Sequence, residues 1–156
     1  VARIAIVHYQ NEMARELTEL FYSAVYAIPD SIYSAQQKAV WAPLPPDYVH
    51  WEKRLAKRKP FVAVLESRLA GFIELEPDGH IDCFYTEPDV QGQGVGSCLY
   101  QYAEQVALER GDAKLFVEAS LVAKPVFEHF GFVVRRVNAI TREGVVLTNF
   151  SMEKVL

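Results

Sequence analysis

The chain has 156 residues, 51% apolar and 23% charged, with a formal net charge of −4. This is the composition of an ordinary globular protein with a sizeable core, and its acidic balance argues against a general nucleic-acid binder. Two cysteines are too few for a disulfide framework, and no apolar run reaches the roughly 20 residues that span a bilayer. The expectation is one cytoplasmic domain over residues 1–156, with no nucleic-acid or membrane partner.

Arg3 to Tyr9 alternates and is rich in β-branched residues, so it reads as a strand rather than a signal peptide. Asn11 is placed to cap a helix running to Tyr26, with Met13, Leu17, Leu20, Phe21 and Ala24 on one face. Pro29 and Asp30 break that helix. A second is expected from Ser34 to Trp41, where Ser34 and Gln37 have capping-box spacing. Pro43, Pro45 and Pro46 end it, and a third runs from Asp47 to Lys59. Its basic run, Lys53 to Lys59, suits a solvated helix end near the negative pole of the dipole.

From Phe61 the period changes. Phe61–Glu66 and Leu69–Leu75 read as strands joined by a tight turn at Ser67-Arg68, and Pro77-Asp78-Gly79 turns the chain into a strand from His80 to Thr86. Connections this short make the three strands antiparallel neighbours. An amphipathic helix over 96–110 follows, ended by Gly111, and then a strand over 114–119, so strand, helix and strand form a crossover with parallel strands. A short helix over 123–130 stops at Gly131. A hairpin of 132–137 and 145–152 turns around Thr141 to Gly144. The sum is an α/β (α+β) layered domain: a mixed sheet of about seven strands with helices on both faces.

Three of the eight glycines fall within five residues, in Gln91-Gly92-Gln93-Gly94-Val95-Gly96-Ser97, between a strand and a helix. Such a turn aims backbone N–H groups at an anion beside a positive helix end, and glycine lets a phosphate approach where a Cβ would hold it off. A triphosphate loop requires a lysine that is missing here. A dinucleotide fingerprint requires a third glycine where Ser97 or Leu99 stands; Glu118 imitates only its distal acid. The pattern [Gln/Arg]-x-x-Gly-x-[Gly/Ala] is met by Gln91, Gly94 and Gly96.

That pattern resembles the GNAT superfamily of acetyl-CoA-dependent N-acetyltransferases. Phe84 to Gly96 is similar to the family's strand and loop. Glu118-Ala119-Ser120, Ala123 to Phe127 and Gly131-Phe132 resemble its next strand, short helix and Gly-Phe element. The resemblance covers nearly the whole chain and implies a GNAT-like splayed sheet with acetyl-CoA as the acyl donor. It also implies that Gln91, Gly92, Gln93, Gly94, Val95, Gly96 and Ser97 hold the pyrophosphate, and that Phe84, Tyr85 and Thr86 pair with the pantetheine arm. The thioester is then expected near Cys83, Phe84, Glu118 and Ser120. Ser120 stands where many relatives carry an asparagine that bonds the pantetheine.

Direct attack of an amine on the thioester calls for a base and for an acid or a good leaving group. Many relatives place a tyrosine acid on the short helix; Phe127 replaces it here and has no proton to give. A thiolate, with a pKa near about 8.5, leaves without that help. The candidate bases are His80, Asp82 and Glu74. His80 works near neutral pH but also reads as an idle surface histidine. Asp82 shares a strand face with Phe84, where burial would raise its pKa, but it also reads as a structural hydrogen-bonding group. Of the aromatic residues before Pro60, Tyr33 and Trp41 are expected to line the acceptor cleft. Tyr33-Ser34-x-x-Gln37 with Trp41-Ala42-Pro43 also resembles a bacterial GNAT subgroup.

The four histidines and two cysteines lack metal-ligand spacing, so no metal is expected. The acceptor is expected to be a small-molecule or peptide amine. The rival reading is a non-catalytic acyl-CoA sensor, supported by Phe127. A homodimer paired through Val145 to Met152 is a further expectation.

Overall fold

The computed structural model describes residues 3–156. Strands β1 (Ile4–His8), β2 (Phe61–Leu65), β3 (Arg68–Leu75), β4 (His80–Thr86), β5 (Lys114–Ser120), β6 (Val133–Arg142) and β7 (Val145–Val155) form one sheet. Their order is β1-β2-β3-β4-β5-β7-β6. All neighbours are antiparallel except β4 and β5. Helices α1 (Ala14–Tyr26), α2 (Ala35–Trp41) and α3 (Tyr48–Arg58) precede β2; α4 (Val95–Arg110) links β4 to β5, and α5 (Lys124–His129) follows β5.

Each face of the sheet has its own core. Leu99, Tyr100, Ala103 and Ala107 of α4 bury Ile73, Ile81, Leu115 and Val117, with Phe127 and Phe132 closing one end. On the other face Leu17, Leu20, Phe21 and Val25 of α1, with Trp51 and Leu55 of α3, cover Val62, Phe72 and Cys83. The helical period of α1 places Leu17, Leu20 and Phe21 inward, as expected.

Several local signals act as their chemistry dictates. Ser34 accepts from the Gln37 N–H while Gln37 returns a bond to the Ser34 N–H, a complete capping box. Asp47 accepts from the His50 N–H at the start of α3. Gly111 ends α4 at φ +81, a conformation that costs other residues a Cβ clash.

Several boundaries depart from the sequence reading. Asn11 does not cap α1: a 3-10 turn over Asn11–Met13 intervenes, and no side chain caps it. The β2–β3 turn lies at Glu66-Ser67, both with positive φ, a two-residue turn that matches the strands' twist. Helix α4 begins at Val95, one residue early, because Gly94 at φ +88 turns the chain into it. Strand β6 continues to Arg142, since Glu143 and Gly144 carry the hairpin turn.

Of the strand expected to pair across a dimer, residues 149–152 are hydrogen-bonded to β5 on one side and β6 on the other, whereas residues 145–148 pair with β6 alone. Among the described residues no helix is long and apolar enough to cross a membrane.

Two departures from a regular sheet create the site. The parallel pairing of β4 and β5 extends only from His80↔Phe116 to Ile81↔Val117, after which the strands part. In the β3–β4 register, the step from Phe84 to Ile81 on β4 opposes only the step from Ile73 to Leu75 on β3, which is a β-bulge. The bulge leaves an unpaired residue and bends β4 away at the split. Ile81 and Phe84 therefore face the α4 core, while Cys83 and Tyr85 face α1 and α3.

Candidate active site

Two clefts meet at the split. One, of about 970 Å³, runs past Phe84, Tyr85 and Thr86 to the glycine loop and along α5. The other, of about 480 Å³, lies on the opposite side between α1–α3 and the β6–β7 hairpin. Trp41, Phe84, Tyr85, Ser120, Ala123 and Phe127 line both.

The loop end of the larger cleft is built from backbone. Gly92 and Gly94 have φ of +83 and +88, and a Cβ on Gly92 would meet nothing within 4 Å while one on Gly94 would reach only Ile4 Cδ1 at 3.9 Å. Both turn for conformational reasons, and the space in front of them stays open. The first rung of α4 runs from the Cys98 N–H to the Gly94 oxygen at 3.0 Å. The N–H groups of Val95, Gly96 and Ser97 therefore stand ahead of the helical ladder at the positive end of a 16-residue helix. Among the described residues no Lys or Arg lines this cleft, so the loop's attraction for an anion comes from oriented amides. Gln91, Gly92, Gly94, Val95, Gly96 and Ser97 line this cleft; Gln93 does not, as its side chain is exposed beyond it.

At the junction, Phe127 is 1% exposed and sits edge-on to Phe84, Phe130 and Phe132 with centroids 5.0–6.3 Å apart. Ser120 Oγ accepts from the Ala123 N–H at 3.1 Å and tethers the end of β5 to the start of α5. Burial, and then the nearby anionic groups, raise the Tyr85 phenol well above its ordinary value, so it stays protonated.

The smaller cleft has aromatic walls and paired charges. Tyr33 is 2% exposed; its hydroxyl accepts from the Leu121 N–H at 2.8 Å and donates to the Thr148 oxygen at 3.0 Å. It thereby joins the loop before α2 to β7 and to the residue following β5. Trp41 packs edge-on to Tyr33, centroids 5.3 Å apart. Lys38, itself buried, bonds the Ile28 oxygen and pairs with Asp30 at 2.9 Å, fixing the loop that carries Tyr33.

The three bases weighed from the sequence occupy different environments. Glu74 has no exposure and lines neither cleft; Arg54 grips it at 2.7 and 3.4 Å. It serves as the buried half of an ion pair and is out of reach of a substrate. His80 also lies outside both clefts. Its Nδ1 is 2.6 Å from Glu76 and its Nε2 2.7 Å from Glu118, and its ring stacks on Phe116 at 4.8 Å. Burial pulls its pKa down, but the two carboxylates outweigh that and raise it above the usual value. With both nitrogens donating, His80 has no lone pair to offer a substrate.

Asp82 does line the smaller cleft, yet Oδ2 is 2.9 Å from Arg54 and 3.5 Å from Arg58. The expected apolar burial against Phe84 is corrected: the β4 bulge turns Asp82 towards α3, where it is exposed and ion-paired. Cys83 lines the same cleft with its sulfur 3.3 Å from Arg54. Burial first, and the Glu74 carboxylate next, push its thiol well up, so it is not a nucleophile.

Sequence reasoning did not assign Arg54 or the β6–β7 wall of Ile140, Arg142, Leu147, Thr148 and Asn149 to the cleft. Nothing local marks them; only the sheet order brings β7 beside β5.

The sheet is thus split between two parallel strands, with a glycine turn and helix start at one end of the opening and a polar, aromatic cleft at the other, the arrangement the resemblance to acetyltransferases implies. Comparison with known proteins agrees. The family model described as Acetyltransferase (GNAT) domain matches residues 30–154. The chain is 32% identical over 149 residues, 96% of its own length and 94% of the relative's, to an Escherichia coli K12 protein described as uncharacterized N-acetyltransferase YafP. It is similar, at TM-score 0.92 and 30% identity over 100% of this chain and 98% of the other, to a crystal structure from Rhodopseudomonas palustris. That protein is described as a GCN5-related N-acetyltransferase, aminotransferase class II. A Thermoplasma acidophilum PaiA N-acetyltransferase crystallised with coenzyme A shares the fold at TM-score 0.76 and 20% identity, each chain covered over 99%. The chain belongs to the GNAT acetyltransferase family, whose members are acyltransferases dependent on acetyl-CoA.

Proposed function

We propose that this chain is a single-domain, cytoplasmic N-acetyltransferase that moves the acetyl group of acetyl-CoA to a primary amine by direct attack, both substrates being bound together. The observation that carries this reading is the pair of clefts sharing one wall at the split of β4 and β5. In this reading the pyrophosphate meets the N–H groups of Gln91 to Ser97. The pantetheine amides pair with Phe84, Tyr85 and Thr86, whose β5 side the split leaves without a partner strand. Ser120 and the Phe127 ring bound the arm near the thioester.

Bound acetyl-CoA supplies an activated acyl carbon and a leaving group of modest basicity. Tyr33 and Trp41 wall the acceptor side, and the amine enters the smaller cleft from the direction of the β6–β7 hairpin. The aromatic faces, with Glu118 as the lining carboxylate that no arginine holds, favour a small cationic acceptor; a lysine or N-terminal amine of a peptide has the same reacting group. Phe127 cannot protonate the sulfur, so the coenzyme departs as thiolate and takes its proton from the reacting nitrogen or from water.

Thermal shift with acetyl-CoA, coenzyme A and NAD, followed by thiol release across a panel of amines, tests this. Stabilisation by both coenzyme A forms and turnover with at least one amine are expected. Stabilisation by NAD alone, or silence with every amine, would overturn it.

A further inference from the structure

Resting on the acetyl-transfer reading, the geometry points to Glu118 as the group that takes the proton from the acceptor amine, with His80 as the residue that positions it. Glu118 lies on β5, whose alternation sends Leu115, Val117 and Ala119 into the α4 core and Phe116, Glu118 and Ser120 to the acceptor side. It lines the acceptor cleft two residues before Ser120, which lines both clefts, so it stands next to the point where they meet. Its Oε1 accepts from His80 at 2.7 Å. Among the described residues no other hydrogen bond or ion pair engages it, which leaves Oε2 for a ligand.

The rival carboxylates are committed elsewhere. Glu74 is sealed beneath Arg54, and Asp82 is shared between Arg54 and Arg58. The support behind Glu118 forms a chain. His80 donates to Glu118 and Glu76, Glu76 is fixed by Arg58 at 2.7 Å, and the His80 ring stacks on Phe116. The charged groups around His80 are Glu76 and Asp78 from the β3–β4 turn, the latter accepting from the His80 N–H at 3.1 Å, Asp82 on β4, Glu118 on β5 and, through Glu76 and Asp82, Arg58 and Arg54 of α3. The anchor also lies at the last paired rungs of β4 and β5, so the clamp that orients Glu118 closes the base of the split.

In the reaction, the ammonium gives one proton to Glu118 and the freed lone pair forms the bond to the acetyl carbon. The carbon–sulfur bond breaks and its electrons leave with sulfur. The nitrogen then sheds its second proton, which neutralises the thiolate, and Glu118 returns its own to water. Amide, coenzyme A thiol and one released proton balance the equation.

The test uses whichever of tyramine, spermidine, benzylamine or a lysine-containing peptide the wild-type protein acetylates fastest. Glu118→Gln should lower kcat by roughly 100-fold or more, with coenzyme A affinity and melting temperature nearly unchanged, while Glu118→Asp keeps an intermediate rate. His80→Ala should lower kcat about tenfold by releasing the carboxylate. Added imidazole should restore part of that rate, more at pH 6 than at pH 8.5, because the imidazolium donates to both carboxylates as His80 does. Glu118→Gln within threefold of wild type, or an Asp82→Asn loss that exceeds the Glu118→Gln loss, overturns the assignment. Imidazole without effect on His80→Ala overturns the positioning role. A wild-type protein that binds coenzyme A yet acetylates none of the amines instead defeats the acetyl-transfer reading, and this inference with it.

Discussion

The two ends of the split sheet solve their tasks with different parts of the chain. The end proposed for the coenzyme is made of backbone: glycines at positive φ, amides at a helix start and the free side of one strand, all within Phe84 to Ser97. The end proposed for the acceptor is made of side chains drawn from α1, α2, α3, β4, β5, α5 and the β6–β7 hairpin, held by bonds such as Tyr33 to Thr148, 115 residues apart. A backbone site tolerates side-chain change but not a change of glycine. A side-chain site depends on every partner being present.

The largest effect should come from the acceptor end, where Arg54 is the only cation on the sealed Glu74 among the described residues. Arg54→Met strands a buried carboxylate and should cost roughly 3–5 kcal/mol, measured by urea unfolding. Adding Glu74→Gln should return most of it. A single-variant loss below 1 kcal/mol would mean that the pair is not desolvated. At the coenzyme end, Gly94→Glu places a like charge in the pyrophosphate path and should weaken coenzyme A binding at least about 100-fold. Calorimetry checks this, and unchanged affinity would refute the loop assignment.

Tyr33→Phe removes one donor and one acceptor from partners in a buried corner. It should cost about 1–3 kcal/mol and raise the acceptor KM while leaving the coenzyme KM alone; equal changes in both would erase the distinction between the two ends. Gly111→Ala, away from both clefts and at φ +81, should cost about 1–2 kcal/mol with no change in coenzyme binding.

The smallest effect is one of pH. Because His80 is raised in the fold, its contribution is complete below its unfolded pKa of about 6.5 and is lost as pH rises through the folded value. Glu76 is lowered on balance, against burial, by its bonds to His80 and Arg58. Its contribution is present above its unfolded value and fades in acid. The melting-temperature difference between wild type and His80→Ala should therefore be greatest between about pH 5 and 6.5 and shrink towards pH 9. A gap that widens with pH would reverse the sign of the argument.

The same contrast explains what could be read from the sequence. The glycine loop was legible because its chemistry is local: Gly92 and Gly94 must be glycines for the turn they make, and Gln91 stands three residues before Gly94. The antiparallel run from Phe61 to Thr86, the parallel crossover after it and the helix starts at Ser34 and Asp47 were legible through period, turn length and capping, but the place of β7 between β5 and β6 was not. The acceptor end was not. Nothing near Arg54 in the chain announces that it covers Glu74. Nor does anything near Asp82 announce the β4 bulge that turns it to α3, or anything near His80 that Glu118 waits across the split. Those relations depend on pairing register and side-chain reach, which periodicity does not encode.

The central claim is that coenzyme A lies across the split, held at the loop by backbone amides. Backbone amide shifts recorded while coenzyme A is titrated into the 15N-labelled protein test it most directly. The largest changes should fall on Gly92 to Ser97 and on Tyr85 and Thr86, with Gly111 and Gly144 unmoved. Changes that spare the loop and cluster elsewhere would contradict it.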